Sequence, residues 1–147
     1  MNEMLANHHF LVRNYSGASE ELERIINVRP DKKLMKKLII CYTQTGRPDE
    51  ALNLFLSVIK DDINIITSTN LDSEDCPCPE LIFKVESNDV DYKDQYTKSY
   101  VLGILWLYCD LAESLKYFLR AKNFNQENDQ VNKIIRLLKK TISQIHS

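Results

Sequence analysis

The feature that most constrains this chain is a residue spacing that occurs three times. Each occurrence has four positions separated by steps of three, four and three residues, with a small residue in the second position and a large one in the third. The three sets are Tyr15, Ala18, Leu22 and Ile25; Pro48, Ala51, Phe55 and Val58; and Leu111, Ser114, Phe118 and Ala121, where Ser114 is the small residue. Such steps place side chains on one face of an α-helix. The small residue lets a second helix approach closely, and the large side chain one turn later fills the groove beside that contact.

An apolar stripe before each set predicts a partner helix, as at Leu38 and Tyr42. The turn that follows this stripe contains Gly46, which suits the left-handed conformation that ends a helix. Pro48 then suits the first turn of the next helix, where a missing N–H is tolerated. Because the connection is only about three residues long, the two helices are expected to pack antiparallel as a hairpin.

Composition favours a helical domain and excludes several classes of protein. The chain has 147 residues, of which 44% are hydrophobic, and only three Gly and four Pro. That length supports one domain with its own core, and the shortage of turn residues favours long helices. The 19 basic and 21 acidic residues give a net charge of −2, without the basic field of a nucleic-acid binder. No apolar run approaches a membrane span, and residues 1–9 lack a signal-peptide pattern, so we expect a cytoplasmic protein with reduced cysteines.

The repeated pattern resembles the tetratricopeptide repeat (TPR), a helix–turn–helix unit of about 34 residues. The matching segments are residues 1–31, 32–65 and 96–125. The match is fullest over 32–65, at Leu38, Tyr42, Gly46, Ala51 and Phe55. The resemblance implies an all-α superhelix of about three helical hairpins in a single domain, residues 1–147. Residues 127–145 have one apolar and one basic side, which predicts a C-terminal capping helix.

The resemblance also implies a non-enzymatic scaffold that needs no cofactor. The first helices of TPR hairpins line a concave groove that binds a partner peptide or helix. The positions that the resemblance places in this groove are Asn7, Phe10, Lys33, Lys36, Ile40, Gln44, Tyr100, Ile104 and Tyr108. Their Asn, Lys and Tyr side chains suit a peptide with an acidic or carboxylate group, rather than a nucleic acid or a membrane. No Gly-rich phosphate loop, zinc-protease motif or nucleophile pattern points to an enzyme.

Residues 61–95 interrupt the repeats and carry ten acidic and two basic residues, a net charge of −8 against +6 for the rest of the chain. Three interpretations of this insertion stay open. It could be a solvated loop, an acidic flap that contacts the basic C-terminal helix or a basic partner, or a decayed repeat. Within it, Leu81–Val85 fits either a short helix that starts at Pro79 or a short strand.

Two alternative functions stay open. Cys76 and Cys78 flank a single proline, and such a thiol pair suits redox chemistry or a soft metal ion completed by Cys41, Cys109, His8 or His9. The spacing is one residue shorter than in the usual zinc motif. The other alternative is a self-associating scaffold, a homo-oligomer formed through a strip that contains Trp106 and Tyr108.

Overall fold

The structure is a computed structural model that describes residues 3–145, and within that range it contains nine helices and no strand. The prediction of an all-α fold is confirmed for these residues. The helices are α1 (Glu3–Leu11), α2 (Tyr15–Val28), α3 (Lys32–Gln44), α4 (Pro48–Asp62), α5 (Asn64–Thr67), α6 (Cys78–Glu86), α7 (Gln95–Leu107), α8 (Leu111–Phe124) and α9 (Asp129–Ile145). Over the part of the chain described, none of them has the length and apolar character needed to cross a bilayer. The first two residues of the first predicted repeat lie outside the described range.

Three pairs of consecutive helices form hairpins: α1 with α2, α3 with α4, and α7 with α8. Each pair is joined by three residues, which is too short for anything but an antiparallel arrangement. The hairpins also follow one another in a regular way. The second helix of each packs against the next first helix, α2 on α3 and α4 on α7, and α8 packs in turn on α9.

Local sequence explains where these helices begin and end. The side chains of Asn14, Asp31, Asp94 and Asp110 each accept a hydrogen bond from a backbone N–H in the first turn of α2, α3, α7 and α8. After α3, Gly46 has a φ of 73°, the left-handed conformation expected for it. Pro48 then occupies the first position of α4.

The small residues of the repeated spacing lie at closely packed helix contacts. Ala18, Ala51 and Ser114 are all completely buried. The Ser114 hydroxyl donates a hydrogen bond of 2.6 Å to the backbone carbonyl of Gly103 in α7, which fixes the α7–α8 contact. The Phe118 ring lies against Gly103 on one side and stacks on Phe55 of α4, with ring centroids 5.7 Å apart. One aromatic pair therefore joins the second hairpin to the third.

The insertion is a folded part of the domain rather than a solvated loop. Residues 78–86 form helix α6, so the helical alternative for Leu81–Val85 is confirmed and the strand is wrong. Its apolar side chains Leu81, Ile82 and Val85 are buried in the common core. Their spacing of one and three residues fits one face of a helix and does not alternate as a half-buried strand does.

Three acidic side chains of the insertion form ion pairs with the first half of the chain. Asp61 pairs with Lys32, Glu74 with Lys36 and Glu80 with Arg13. Among the described residues no ion pair joins the insertion to α9, so charge pairing gives no support to the alternative of a flap against the C-terminal helix. Helix α9 does pack its apolar face on α8 and α4, as predicted for a capping helix.

Candidate functional site

The structure places the nine predicted groove residues in three different environments. Asn7 and Lys33 are exposed, and Gln44 is half-buried. The other six are buried: Phe10, Lys36, Ile40, Tyr100, Ile104 and Tyr108. The expected open groove is therefore closed at these six positions, and another part of the chain covers several of them.

The covering part is the insertion. Helix α5 packs on α3, and α6 packs on α7. Farther along, the Tyr92 hydroxyl donates a hydrogen bond of 2.8 Å to the backbone carbonyl of Thr43, at the end of α3. Between these anchors the Glu74 carboxylate reaches the ammonium group of Lys36 on α3. The insertion therefore spans the face formed by α3 and α7.

Four of the predicted groove residues line a small cleft, here called the central cleft. It is lined by Phe10, Lys36, Lys37, Ile40, Thr69, Glu74, Cys76 and Tyr108. Its free volume is about 10 Å³, roughly the space that one water molecule needs. A peptide side chain cannot enter without displacing part of the lining.

The central cleft is built around a buried lysine. Lys36 is only 7% exposed, and its Nζ lies 2.8 Å from Oε1 of Glu74. The other carboxylate oxygen of Glu74 accepts a hydrogen bond from the backbone N–H of Asn70. Partial burial alone would raise the pKa of Glu74, but the hydrogen bonds from Lys36 and Asn70 outweigh it and hold that pKa below its usual range. Glu74 is therefore an ionised partner for Lys36 at neutral pH.

A second lysine lies at the outer edge of the central cleft. The Lys37 ammonium donates a hydrogen bond of 2.9 Å to Oδ1 of Asn7 and lies 5.6 Å from the centre of the Phe10 ring. Unlike Lys36, Lys37 forms no ion pair with the carboxylates of residues 3–145, and it is half-buried. This edge therefore joins a cation, an amide and an aromatic ring from α1 and α3.

The strip suggested for self-association is only partly at the surface. Tyr108 is 2% exposed, and its hydroxyl donates a hydrogen bond of 2.5 Å to the backbone carbonyl of Lys36. Trp106 is half-buried, and its indole N–H is enclosed. Tyr108 holds α7 against α3 and is not available to contact a second copy of the chain.

The four cysteines lie in different environments. Burial raises the pKa of Cys41 to about 12. Partial desolvation raises the pKa of Cys109, whose residue is exposed, to about 11. Cys76 and Cys78 form a close pair beside the central cleft, with sulfur atoms 3.0 Å apart. Among the residues described, no three His, Cys, Asp or Glu side chains are arranged to hold a metal ion, so the geometry gives no support to the metal alternative. Only the thiol-pair alternative keeps a structural basis.

The lid of the central cleft is a short stretch of the insertion, residues 68–76, here called the acidic strap. It contains three acidic residues and no basic one. All of its side chains are described by the structure, and none is buried. The strap folds on itself through the Asn70 side chain, which accepts hydrogen bonds from the backbone N–H groups of Asp72 and Ser73. Its contacts with the rest of the molecule include the Glu74–Lys36 ion pair and the packing of the half-buried Cys76 against the core beside Cys78.

Sequence reasoning missed three residues of this site, Thr69, Glu74 and Lys37. The excess negative charge of the insertion was visible, but the sequence does not show which cation it meets. A usable signal was the cluster of lysines at the start of α3, because it is the densest basic group in the first two hairpins.

Comparisons with known proteins give no family for this chain. A scan against protein-family models, a search of curated proteins and a search of solved structures each found no match.

Proposed function

We propose that this protein is a non-enzymatic interaction module that binds an acidic peptide in the central cleft when the acidic strap moves away. The observation that carries the proposal is the ion pair between Lys36 and Glu74. The cleft already accommodates a carboxylate, supplied by the chain itself. A partner carboxylate on Lys36 would replace that contact with one of the same kind, while the lysine remains paired.

The wider architecture that we propose is a TPR-like array with the insertion folded over its concave face. It is supported by the recurrence of one contact, in which the second helix of a hairpin packs on the first helix of the next. It is also supported by the complete burial of Ala18, Ala51 and Ser114, the equivalent small positions. In such an array α1, α3 and α7 line the concave face, and the central cleft is lined by side chains from α1 and α3 and by Tyr108, which directly follows α7.

Energetics favour movement of the strap over removal of the whole insertion. Helix α6 buries Leu81, Ile82 and Val85, and each such side chain contributes about 1.5–3 kcal/mol. Uncovering them would use up much of the total stability of a domain, about 5–15 kcal/mol. The strap has no buried side chain to expose. Its opening costs the Glu74 contacts and the partial packing of Cys76, which is less than the burial of α6, so we expect α6 to stay in place when a peptide binds.

The proposal predicts that Glu74→Ala strengthens the binding of an acidic peptide. The Lys36–Glu74 contact is charge-assisted, but the Glu74 side chain is 38% exposed, so we take its contribution as about 1 kcal/mol. Loss of this internal competitor should then tighten binding about fivefold. Fluorescence anisotropy with a labelled Glu-rich peptide would measure the change, with a peptide of the same sequence carrying Gln in place of Glu as the neutral comparison.

Two variants make this test specific. Asp72→Ala removes the same charge from an exposed strap residue that does not contact Lys36, and should leave the affinity unchanged. Lys36→Met keeps most of the buried stem but removes the ammonium, and should abolish the preference for the acidic peptide. Equal effects of Glu74→Ala and Asp72→Ala, or an unchanged preference in Lys36→Met, would show that the cleft is not the binding site.

A further inference from the structure

The two cysteines beside the central cleft face each other across one proline. Pro77 has φ −84° and ψ 9°, which turns the chain between Cys76 and Cys78 just as α6 begins. Their sulfur atoms are 3.0 Å apart, and both thiols are free. The two sulfur atoms need to move only a short distance toward each other to form a disulfide bond.

Access divides the pair into two roles. Cys76 is half-buried and lines the central cleft, whereas Cys78 is completely buried at the start of α6. Of these two cysteines, a reagent from solution can therefore reach only Cys76. Cys78 lies behind it, in position to react with whatever becomes attached to Cys76.

Charge distribution supports the same division. The hydrogen bond with Cys78 and the nearby Lys36 ammonium lower the pKa of Cys76. Since a thiolate has no proton to donate, Cys78 must be the donor when Cys76 is ionised. Burial raises the pKa of Cys78, and the neighbouring Cys76 charge raises it further. That second contribution disappears once Cys76 carries no charge, as in a mixed disulfide, so Cys78 becomes easier to ionise when its attack is needed.

We propose that Cys76 and Cys78 form a thiol–disulfide exchange site for low-molecular-weight disulfides, with Cys76 as the attacking thiol and Cys78 as the resolving thiol. The Cys76 thiolate attacks one sulfur of the small disulfide, its S–S bond breaks, and one thiol leaves with a proton from solvent. Cys78 then loses its proton to solvent and attacks Cys76, which releases the second small thiol. The protein dithiol is oxidised to a Cys76–Cys78 disulfide, and one small disulfide is reduced to two thiols. This proposal does not depend on peptide binding.

Oxidised glutathione is a suitable probe for the test. The wild-type protein should lose two alkylatable thiols and two hydrogen atoms of mass, with the disulfide mapped to Cys76 and Cys78. Cys78→Ser should instead stop at a stable glutathione adduct on Cys76, and Cys76→Ser should form neither product at Cys78. Dithiothreitol should restore both thiols. Circular dichroism would check that the variants stay folded. The mapping of the disulfide in the wild-type protein does not depend on the variants.

Cys109 provides the internal comparison, because it is the exposed thiol of the chain's described cysteines and its pKa is raised to about 11. The pKa of Cys76 is instead lowered, by its hydrogen bond with Cys78 and by the nearby Lys36 ammonium. At neutral pH the larger thiolate fraction, partly offset by lower nucleophilicity, should make Cys76 react several times faster than Cys109. Faster reaction at Cys109, a disulfide that includes Cys109, or a glutathione adduct that persists on wild-type Cys76 would each overturn the proposal.

Discussion

Phe118→Ala is expected to lower the free energy of unfolding by about 3–5 kcal/mol, the usual cost of removing a fully buried phenylalanine. The Phe118 ring is completely buried, stacks on Phe55 of α4 and fills the space beside Gly103 of α7. Its loss therefore leaves a cavity where the second and third hairpins meet. Urea unfolding would measure the effect, followed by circular dichroism and by the fluorescence of the single tryptophan, Trp106.

The matched control for this substitution is Phe124→Ala, in the same helix. Phe124 is 59% exposed, so its truncation should change stability by no more than about 0.5–1 kcal/mol. The difference between the two variants isolates the buried contact from the change in residue type. Equal effects of the two substitutions would contradict the packing described for α8.

Gly103→Ala is expected to destabilise the protein by about 1–2 kcal/mol, although alanine is ordinarily the better helix former. A Cβ at this position would lie 2.7 Å from Cδ2 and Cε2 of Phe118. The ring has little freedom to move, since Phe55 stacks against it. Overpacking of this kind costs about 1–3 kcal/mol, against a gain of up to about 1 kcal/mol in helix propensity. Urea unfolding measures the net sign directly.

A double-mutant cycle decides whether the ring is the cause. In the Phe118→Ala background the clash is gone, and Gly103→Ala should then be neutral or stabilising by up to about 1 kcal/mol. The change of sign between the two backgrounds is the specific expectation. If Gly103→Ala lowered the free energy of unfolding equally in both backgrounds, contact with the Phe118 ring would not explain why position 103 is a glycine.

Sequence predicted the hairpins well because their determinants are local. The burial of Ala18, Ala51 and Ser114, and the left-handed turn at Gly46, follow from spacing and from residue type alone. Short connections then leave few ways to pack successive helices. These are properties of neighbouring residues along the chain, where periodicity is most informative.

The state of the groove was not predictable in the same way, because it depends on contacts distant along the chain. Whether Ile104 and Tyr108 are open or covered depends on where the insertion folds, and no local pattern specifies that. The partner of Glu74 was equally hidden, since Lys36 is 38 residues away along the chain. The apolar positions of α6 were visible, but not the face against which they would pack.

Amide hydrogen exchange measured on Glu74→Ala, Asp72→Ala and the wild type tests most directly whether the strap is a separate lid held by one ion pair. We expect the amides of residues 68–76 to exchange faster in Glu74→Ala than in the other two proteins, while the amides of α6 keep their wild-type protection. If α6 lost protection together with the strap, or if Glu74→Ala left the strap unchanged, the central cleft would have no lid of its own and the account of its opening would be contradicted.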